Sequence, residues 1–189
     1  MYKVSIIIPV WGSYKEFLPA CLESLKRQTF KDFEIIIVDN KTDLPSARND
    51  GIKRAKGEYI LPLDVDDEIE PDYLEKTINR GDIVTTGYYH NRGENHIVTR
   101  NVSLDGFKNC NQLIACSLFK KKVWDVIGGY DESMKNGYED WDFWYRAVKN
   151  GFKVLVIPEP LYHYNRRQGT LVDDAISKHE ELKQYILNK

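Results

Sequence analysis

Apolar runs of strand length alternate with stretches of helical periodicity through the first third of the chain. Val4-Ser5-Ile6-Ile7-Ile8 is β-branched and apolar on both faces, the pattern of a buried parallel strand, and Pro9 ends it. Phe17, Leu18, Cys21, Leu22 and Leu25 then recur at helix-face spacing. Ile35-Ile36-Ile37-Val38 repeats the buried-strand pattern and stops at Asp39-Asn40, and a short helix is predicted over 46–56, closed near Gly57. Tyr59 to Leu63 is the third such strand. The alternation predicts an α/β fold: a mostly parallel, doubly wound sheet with right-handed crossovers and helices on both faces.

The pattern then changes. Residues 82–89 and 96–102 read as strands around the turn formers Asn91-Arg92-Gly93-Glu94-Asn95, which predicts a small antiparallel hairpin extension. Residues 113–119 read as a strand, 120–127 as a helix broken at Gly128-Gly129, 139–150 as a helix stopped at Gly151, and 153–157 as a strand. A terminal amphipathic helix is predicted over 173–187, with Ile176, Leu182 and Ile186 on its apolar side.

The most informative chemistry lies where the third strand ends. Asp64-Val65-Asp66-Asp67 puts three carboxylates within four positions at the C-terminal end of a strand, the place where open α/β sheets bind ligands. Like charges so close call for a positive partner. A hard divalent cation, Mg²⁺ or Mn²⁺, fits because it takes oxygen ligands and accepts diphosphate oxygens in the same shell. The plain alternative is a solvated acidic turn. Three other groups fall at strand ends or helix starts on the same presumed edge. Trp11, beyond Pro9 and before Gly12, could stack on a nucleobase or sit in the core. Asp39 could accept hydrogen bonds from a base or ribose, or cap a turn. Arg48 with Asn49 lies on the short helix. Far along the chain, Glu139, Asp140 and Asp142 open a helix whose macrodipole alone would favour them, while a general base is the functional reading. Trp141 and Trp144 beside them could offer faces to an acceptor sugar or belong to the core.

Composition narrows the classes. The chain has 189 residues, 42% hydrophobic and 30% charged, with a formal net charge of -2. That length suits one domain, and the balance advertises neither nucleic acid nor disorder. Basic residues cluster only locally, at Lys53-Arg54-Ala55-Lys56, Lys120-Lys121-Lys122 and Arg166-Arg167. Cys21, Cys110 and Cys116 are odd in number and lack metal-type spacing, as expected of free thiols in a reducing, cytoplasmic compartment. No signal peptide or membrane span is legible, which leaves peripheral contact with the inner face of a membrane open.

Taken in order, these segments resemble the family 2 glycosyltransferases of the GT-A, nucleotide-diphospho-sugar transferase fold. The matching pieces are Ser5-Ile6-Ile7-Ile8-Pro9-Val10, Ile35-Ile36-Ile37-Val38-Asp39-Asn40, Ala47-Arg48-Asn49-Asp50-Gly51-Ile52, Gly57 through Asp67, Ile127-Gly128-Gly129-Tyr130-Asp131-Glu132 and Glu139 through Arg146. The resemblance implies one domain over 1–189, with a nucleotide-sugar half to about residue 103 and an acceptor half beyond it. It implies sugar transfer from a nucleoside diphosphate, UDP or GDP, to a hydroxyl of a glycan or glycolipid in polysaccharide or glycoconjugate synthesis. Pro9, Trp11, Asp39 and Arg48 would hold the base, Asp64 the nucleoside side, and Asp66, in a D-x-D motif, the Mn²⁺ or Mg²⁺. Asp140 would deprotonate the acceptor in an inverting reaction, with Glu139 the competing choice. In the segment 160–170, His163 is a candidate third metal ligand and Arg166 and Arg167 are candidate diphosphate partners. The resemblance has two departures: Gly12 stands where members often carry asparagine, and only seven residues separate Asp39 from Ala47, where the family runs through another helix and strand.

Two other classes compete. A trimmed, non-catalytic sugar-nucleotide or glycan-binding member would suit the shortened segment, though Asp66 and Asp140 stand together against it. A haloacid-dehalogenase-type phosphotransferase also uses D-x-D after a strand, but it wants a threonine soon after, and here Glu68 follows Asp67. Oligomeric state is not legible.

Overall fold

The computed structural model describes residues 2–91, 93–96, 101–167 and 171–189. Its centre is β1 (Val4–Pro9), six consecutive buried residues. Such a strand must be covered on both faces. Ile7 packs with Val38, Ala47 and Ile52 on one side, and Ile6 and Ile8 pack with Cys21 and Leu25 on the other. Helices α1 (Leu18–Lys26), preceded by a 3-10 turn over Gly12–Phe17, and α2 (Leu44–Arg54) supply those two covers. Gly51 lets α2 approach closely, since a Cβ there would lie 2.4 Å from Ile7 Cγ2.

Around β1 lie β2 (Phe33–Val38) and β3 (Tyr59–Pro62), both parallel to it. The chain then makes the short strand β4 (Glu68–Ile69), helix α3 (Tyr73–Thr77) and strand β5 (Ile83–His90). Strand β6 (Glu94–His96) folds back on β5, pairing Tyr88 with His96 and His90 with Glu94. The predicted hairpin is therefore present at its turn. Its expected continuation at 97–100 lies outside the described residues, and 101–102 are not in a strand.

Next come β7 (Leu118–Lys120), α4 (Lys121–Ile127), α5 (Glu139–Lys149), β8 (Val154–Tyr164), α6 (Leu171–Ser177) and α7 (His179–Leu187). Gly128 caps α4 with a left-handed φ of 78°, the expected glycine stop. The sheet runs β2-β1-β3-β7-β5-β8-β4, with β6 on β5. Its parallel block, β2-β1-β3, is as the apolar runs predict. The second half is more mixed than the pattern suggests, because β7 enters antiparallel between β3 and β5.

Four local expectations change. The strand expected over 113–119 is confined to β7, and β8 extends well beyond the expected 157. The terminal helix is two helices, and Ile176 is 53% exposed while Ile186 is fully buried. Strand β2 is not buried on both faces. It is the sheet's edge, with Ile35 and Ile37 each 37% exposed.

Candidate functional site

The C-terminal ends of β1 and β3 open into a cavity of about 340 Å³. Pro9, Trp11 and Tyr14 form one wall, the acidic loop Asp64–Asp67 the floor, and Tyr164 to Arg167, beyond β8, the opposite rim. This volume falls in the range of small-ligand sites, about 300–1,000 Å³. Trp11 is half-buried and packs its inner edge on the core, leaving the rest to the cavity.

The three loop carboxylates have three different fates. Asp64 accepts from Arg48 Nη2 at 2.8 Å. Asp66 lines the cavity and pairs with Arg167 Nε at 3.5 Å, and the Arg167 guanidinium lies 3.6 Å over the Phe17 ring. Burial, and then the charge of Asp64, raise the proton affinity of Asp66 above the ordinary carboxylate range. Asp67 is buried and structural. It accepts from the Tyr162 hydroxyl and from Asn165 N at 2.7 Å, while Asn165 Nδ2 donates to Asp66 O at 2.8 Å. These bonds fasten the loop to the end of β8. Positive charge does meet the acidic turn, as three adjacent carboxylates require, and it comes from the chain's own Arg48 and Arg167.

Arg48 occupies a different place from the expected one. It is 1% exposed and lies outside the cavity lining, where it also donates from Nη1 to Glu139 Oε1 at 2.6 Å. Burial alone would weaken its hold on the proton, but the two carboxylates strengthen it well beyond the ordinary arginine value. Its Nε and the Tyr130 hydroxyl are buried with no partner among the described residues, and its guanidinium lies 5.4 Å from the Tyr130 ring. Asn49 plays a similar internal part. Its Nδ2 donates to Tyr130 O at 2.8 Å, and its Oδ1 accepts from Tyr130 N and Trp124 Nε1, both at 2.9 Å. The Ala47-Arg48-Asn49 segment thus clamps the loop, the Gly128-Gly129-Tyr130 turn and the start of α5 together.

Gly137 (φ 101°) and Tyr138 (φ 61°) turn the chain sharply into α5, and the Tyr138 hydroxyl is held 3.0 Å from His179 Nδ1. Glu139 and Asp140 follow directly. Glu139 is 5% exposed and committed to Arg48; burial pushes its pKa up to about 7 against that cation's pull. Asp140 is half-buried. Its Oδ2 accepts from Asn111 Nδ2 at 2.8 Å and its Oδ1 from Trp141 N at 2.8 Å. Burial raises its proton affinity too, with Arg48 opposing. The two carboxylates titrate as a pair. Asp142, fully buried, is structural: Arg146 Nε and Nη2 reach it at 2.9 and 2.7 Å, and Arg146 also donates to Ile127 O and Gly129 O.

Five of the expected donor, metal and acceptor residues lie outside the cavity lining, each for a structural reason. Asp39 is exposed and outside the cavity lining, because β2 ends at the sheet edge. Asp43 lies there instead, capping α2 through Ser46 N at 3.0 Å and facing Lys135 at 3.7 Å. Burial would raise the pKa of Asp43, but those Ser46 and Lys135 contacts hold it below the ordinary value. Arg48 is buried and outside the cavity lining, paired with Glu139 and Asp64. His163 is turned to Glu70 Oε1 at 2.7 Å and stacked on Tyr89 at 4.7 Å, away from Asp66, because it alternates with the inward-facing Tyr162 and Tyr164 along β8. Trp141 and Trp144 are 2% and 0% exposed, and Trp141 Nε1 donates to Phe107 O at 3.0 Å, so both are core.

Asp43, Tyr14, Lys135 and Asn165 were missed in the sequence. Asp43, Tyr14 and Lys135 lie outside the recognisable segments and Asn165 lies within 160–170 without a role assigned there; only Asp43, immediately before α2 starts at Leu44, carried a signal, as an N-cap.

As for a metal, no cluster of three His, Cys, Asp or Glu side chains that could hold an ion by itself occurs among the described residues. Asp43, Asp64, Asp66, Asp67 and Asp174 all line the cavity; of these, Asp64 and Asp66 are neighbouring hard-oxygen donors whose mutual repulsion a cation would relieve. They fit Mg²⁺ or Mn²⁺ held by one or two carboxylates together with substrate phosphate.

Comparison with known proteins returns one family. The model described as "Glycosyl transferase family 2" matches residues 5–45 and 40–118, two pieces that meet just after β2. The chain is 26% identical over 234 residues to the uncharacterized glycosyltransferase EpsJ of Bacillus subtilis, covering 96% of this chain and 67% of that protein. Its structure is similar to S. aureus TarS 1-349 in complex with UDP-GlcNAc (TM-score 0.76, 18% identity, 90% of this chain and 60% of that one). It is also similar to the mannosyltransferase PcManGT of Pyrobaculum calidifontis in complex with GDP-Man and Mn²⁺ (TM-score 0.71, 14% identity, 96% and 63%). The chain thus spans about two thirds of the length of the proteins it matches.

Proposed function

The chain belongs to glycosyl transferase family 2 and has the GT-A fold, and from that premise we propose that it transfers a sugar from a nucleoside-diphosphate donor to an acceptor hydroxyl with inversion. The observation that carries this reading is the single cavity bounded by an aromatic wall at Trp11, a carboxylate floor at Asp64 and Asp66, and a cationic rim at Arg166 and Arg167. Those three surfaces match a base, a cation-bound diphosphate and the diphosphate's remaining charge. Similar structures holding UDP-GlcNAc and GDP-Man with Mn²⁺ support a nucleotide-sugar donor and a divalent ion.

In this reading Pro9 and Trp11 bind the base by stacking and shape. Asp66, with Asp64, holds the ion, which when bound offsets the charge that grows on the departing diphosphate. Arg167 leaves Asp66 for a phosphate oxygen, and Arg166 supports it from the same rim. Asp140 is the base: it takes the acceptor proton as the acceptor oxygen bonds to the anomeric carbon and the bond to the diphosphate oxygen breaks on the opposite face. Both carboxylates lie outside the lining of the donor cavity; Asp140 is favoured over Glu139 because Glu139 is sealed under Arg48, whereas Asp140 is half-buried with Asn111 to orient it. Glu139 is then a positioning residue. The acceptor is a glycan or glycolipid of polysaccharide or glycoconjugate synthesis, by analogy with the family.

One observation favours a second reading, a binding module without turnover. Where the two pieces of the family match overlap, at residues 40–45, a polar cavity of about 310 Å³, lined by Asn40, Lys41 and Ser46, adjoins the first. Calorimetric titration of UDP and GDP with Mn²⁺, followed by a turnover assay with the tighter binder's sugar nucleotides, separates the two. Binding with turnover supports transfer, binding without it supports the module, and no binding of either diphosphate refutes both.

A further inference from the structure

Strand β2 closes one end of the sheet and, among the described residues, pairs with β1 alone. Val10 N donates to Val38 O at 2.9 Å and Val4 N to Asp32 O at 3.3 Å, so the even-numbered carbonyls of this strand face β1. The odd-numbered peptide groups, of Phe33, Ile35 and Ile37, therefore point outward. The exposed side chains beside them are apolar, with Ile35 and Ile37 each 37% exposed. Phe33 N is turned to Lys31 O at 3.0 Å, but the Phe33 carbonyl, both Ile35 groups and the Ile37 N–H have no backbone partner among the described residues; flanked by isoleucines, with no proline or lysine from 33 to 38, they are a template for another strand.

We propose that a second copy of this chain occupies that edge, through two-fold antiparallel pairing of β2 with β2 centred on Ile35. Sequence and geometry select that register. An antiparallel two-fold can fall on a hydrogen-bonded pair, at a residue whose peptide groups point outward, or on a non-hydrogen-bonded pair between them; of the latter, Ile36 would oppose Lys31 to Lys41 and Glu34 would face its own copy, so like charges disfavour both. Centred on Ile35, it matches Ile35 with Ile35 and Phe33 with Ile37, all apolar. The same register sets Lys31 of each copy beside Asp39 of the other; both residues are exposed. A two-fold on Ile37 instead opposes Ile35 to Asp39 and Phe33 to Lys41, and one on Phe33 runs out of strand. The contact is isologous and closes at two copies, so it makes a dimer and no fibre. Arg54 Nη2 covers the outward Ile37 carbonyl at 3.0 Å and must swing aside; its side chain is 47% exposed. The dimer does not depend on what the cavity binds.

Sedimentation velocity over a wide concentration range tests this on the whole chain. A reversible species of twice 22.1 kDa is expected. Lys31→Asp alone and Asp39→Lys alone each weaken it by ~10-fold or more, the double swap restores it, and Arg54→Ala tightens it. The register is checked by single cysteines in a Cys110→Ser background, because Cys110 is an exposed thiol. Ile35→Cys should form a disulfide-linked dimer under mild oxidation, since a hydrogen-bonded pair sets its Cα atoms about 5.5 Å apart, within disulfide reach. Ile37→Cys should not, since its own copies would stand roughly 14 Å apart along the strands. A monomer at every concentration overturns the proposal. So does a dimer that neither charge swap weakens, or equal cross-linking of both cysteines.

Discussion

Replacing Arg48 with methionine tests the central structural claim, that this residue is an internal clamp and no ligand-binding group. The side chain is 1% exposed and bonds Glu139 at 2.6 Å and Asp64 at 2.8 Å. Methionine keeps the apolar stem but leaves Glu139 buried without its cation. Breaking a buried pair by removing one partner costs roughly 3–5 kcal/mol, far beyond the ~1 kcal/mol of an exposed pair. Glu139 has an exit from that penalty, because burial already pushes its pKa up to about 7 and loss of Arg48 drives it higher, so it takes up a proton. The penalty should therefore shrink in acid. For a chain of this size ~1 kcal/mol moves the melting temperature by about 2–4 °C, so Arg48→Met should melt roughly 6–20 °C below the parent at neutral pH. Adding Glu139→Gln should recover much of the loss, giving a coupling of ~1 kcal/mol or more in a double-mutant cycle. Thermal and urea unfolding at pH 5 and pH 8 supply the measurements. A variant that melts within ~2 °C of the parent at pH 8, or a cycle additive within ~0.5 kcal/mol, would refute the clamp.

Further outcomes follow from the same geometry. Asp140→Asn should cut turnover by ~10²–10⁴-fold while leaving nucleotide affinity near the parental value, read by steady-state kinetics beside calorimetry; unchanged turnover removes Asp140 from the chemistry. Asp66→Ala and a chelator should each abolish transfer, and full activity in chelator would sink the role of the ion. Glu139, with its pKa raised from an ordinary 4.5 to about 7, binds a proton more tightly when folded. Its contribution to stability is complete below about pH 4.5 and is lost as the pH rises through about 7, a slope that Glu139→Gln should flatten in unfolding measured across that window. Trp144→Ala should cost ~3–5 kcal/mol of stability as a core truncation, whereas an acceptor platform would show a raised acceptor KM with the stability unchanged.

Much of this molecule was legible in the order of its residues. The apolar runs at 4–9, 33–38 and 59–62 named the parallel block of the sheet, and the alternation with helical segments gave the α/β layering. The carboxylates at 64–67 fell at the end of a strand, as read, and the acidic start of α5 was plain. These features depend on neighbours a few positions away: side-chain period, glycine stops and charge spacing act locally, so a linear reading captures them.

Tertiary packing alone decided which of the chemically capable residues face a ligand. Arg48 and Glu139 meet across 91 positions, and nothing local announces that the arginine's partners are protein carboxylates. Trp141 and Trp144 carry the same surface in sequence whether they greet a sugar or fill the core, and the burial of α5 chose the core. His163 was turned to Glu70 by strand alternation in a β8 longer than its apolar run suggested. Strand β2 reads as buried because isoleucine is apolar, yet it became an edge because no further strand among the described residues pairs with it. In each case the side chain's chemistry was fixed by the sequence. Its partner was fixed by which surfaces the folded sheet and helices brought together, since a charge or ring that loses water must find its compensation in whatever lies against it.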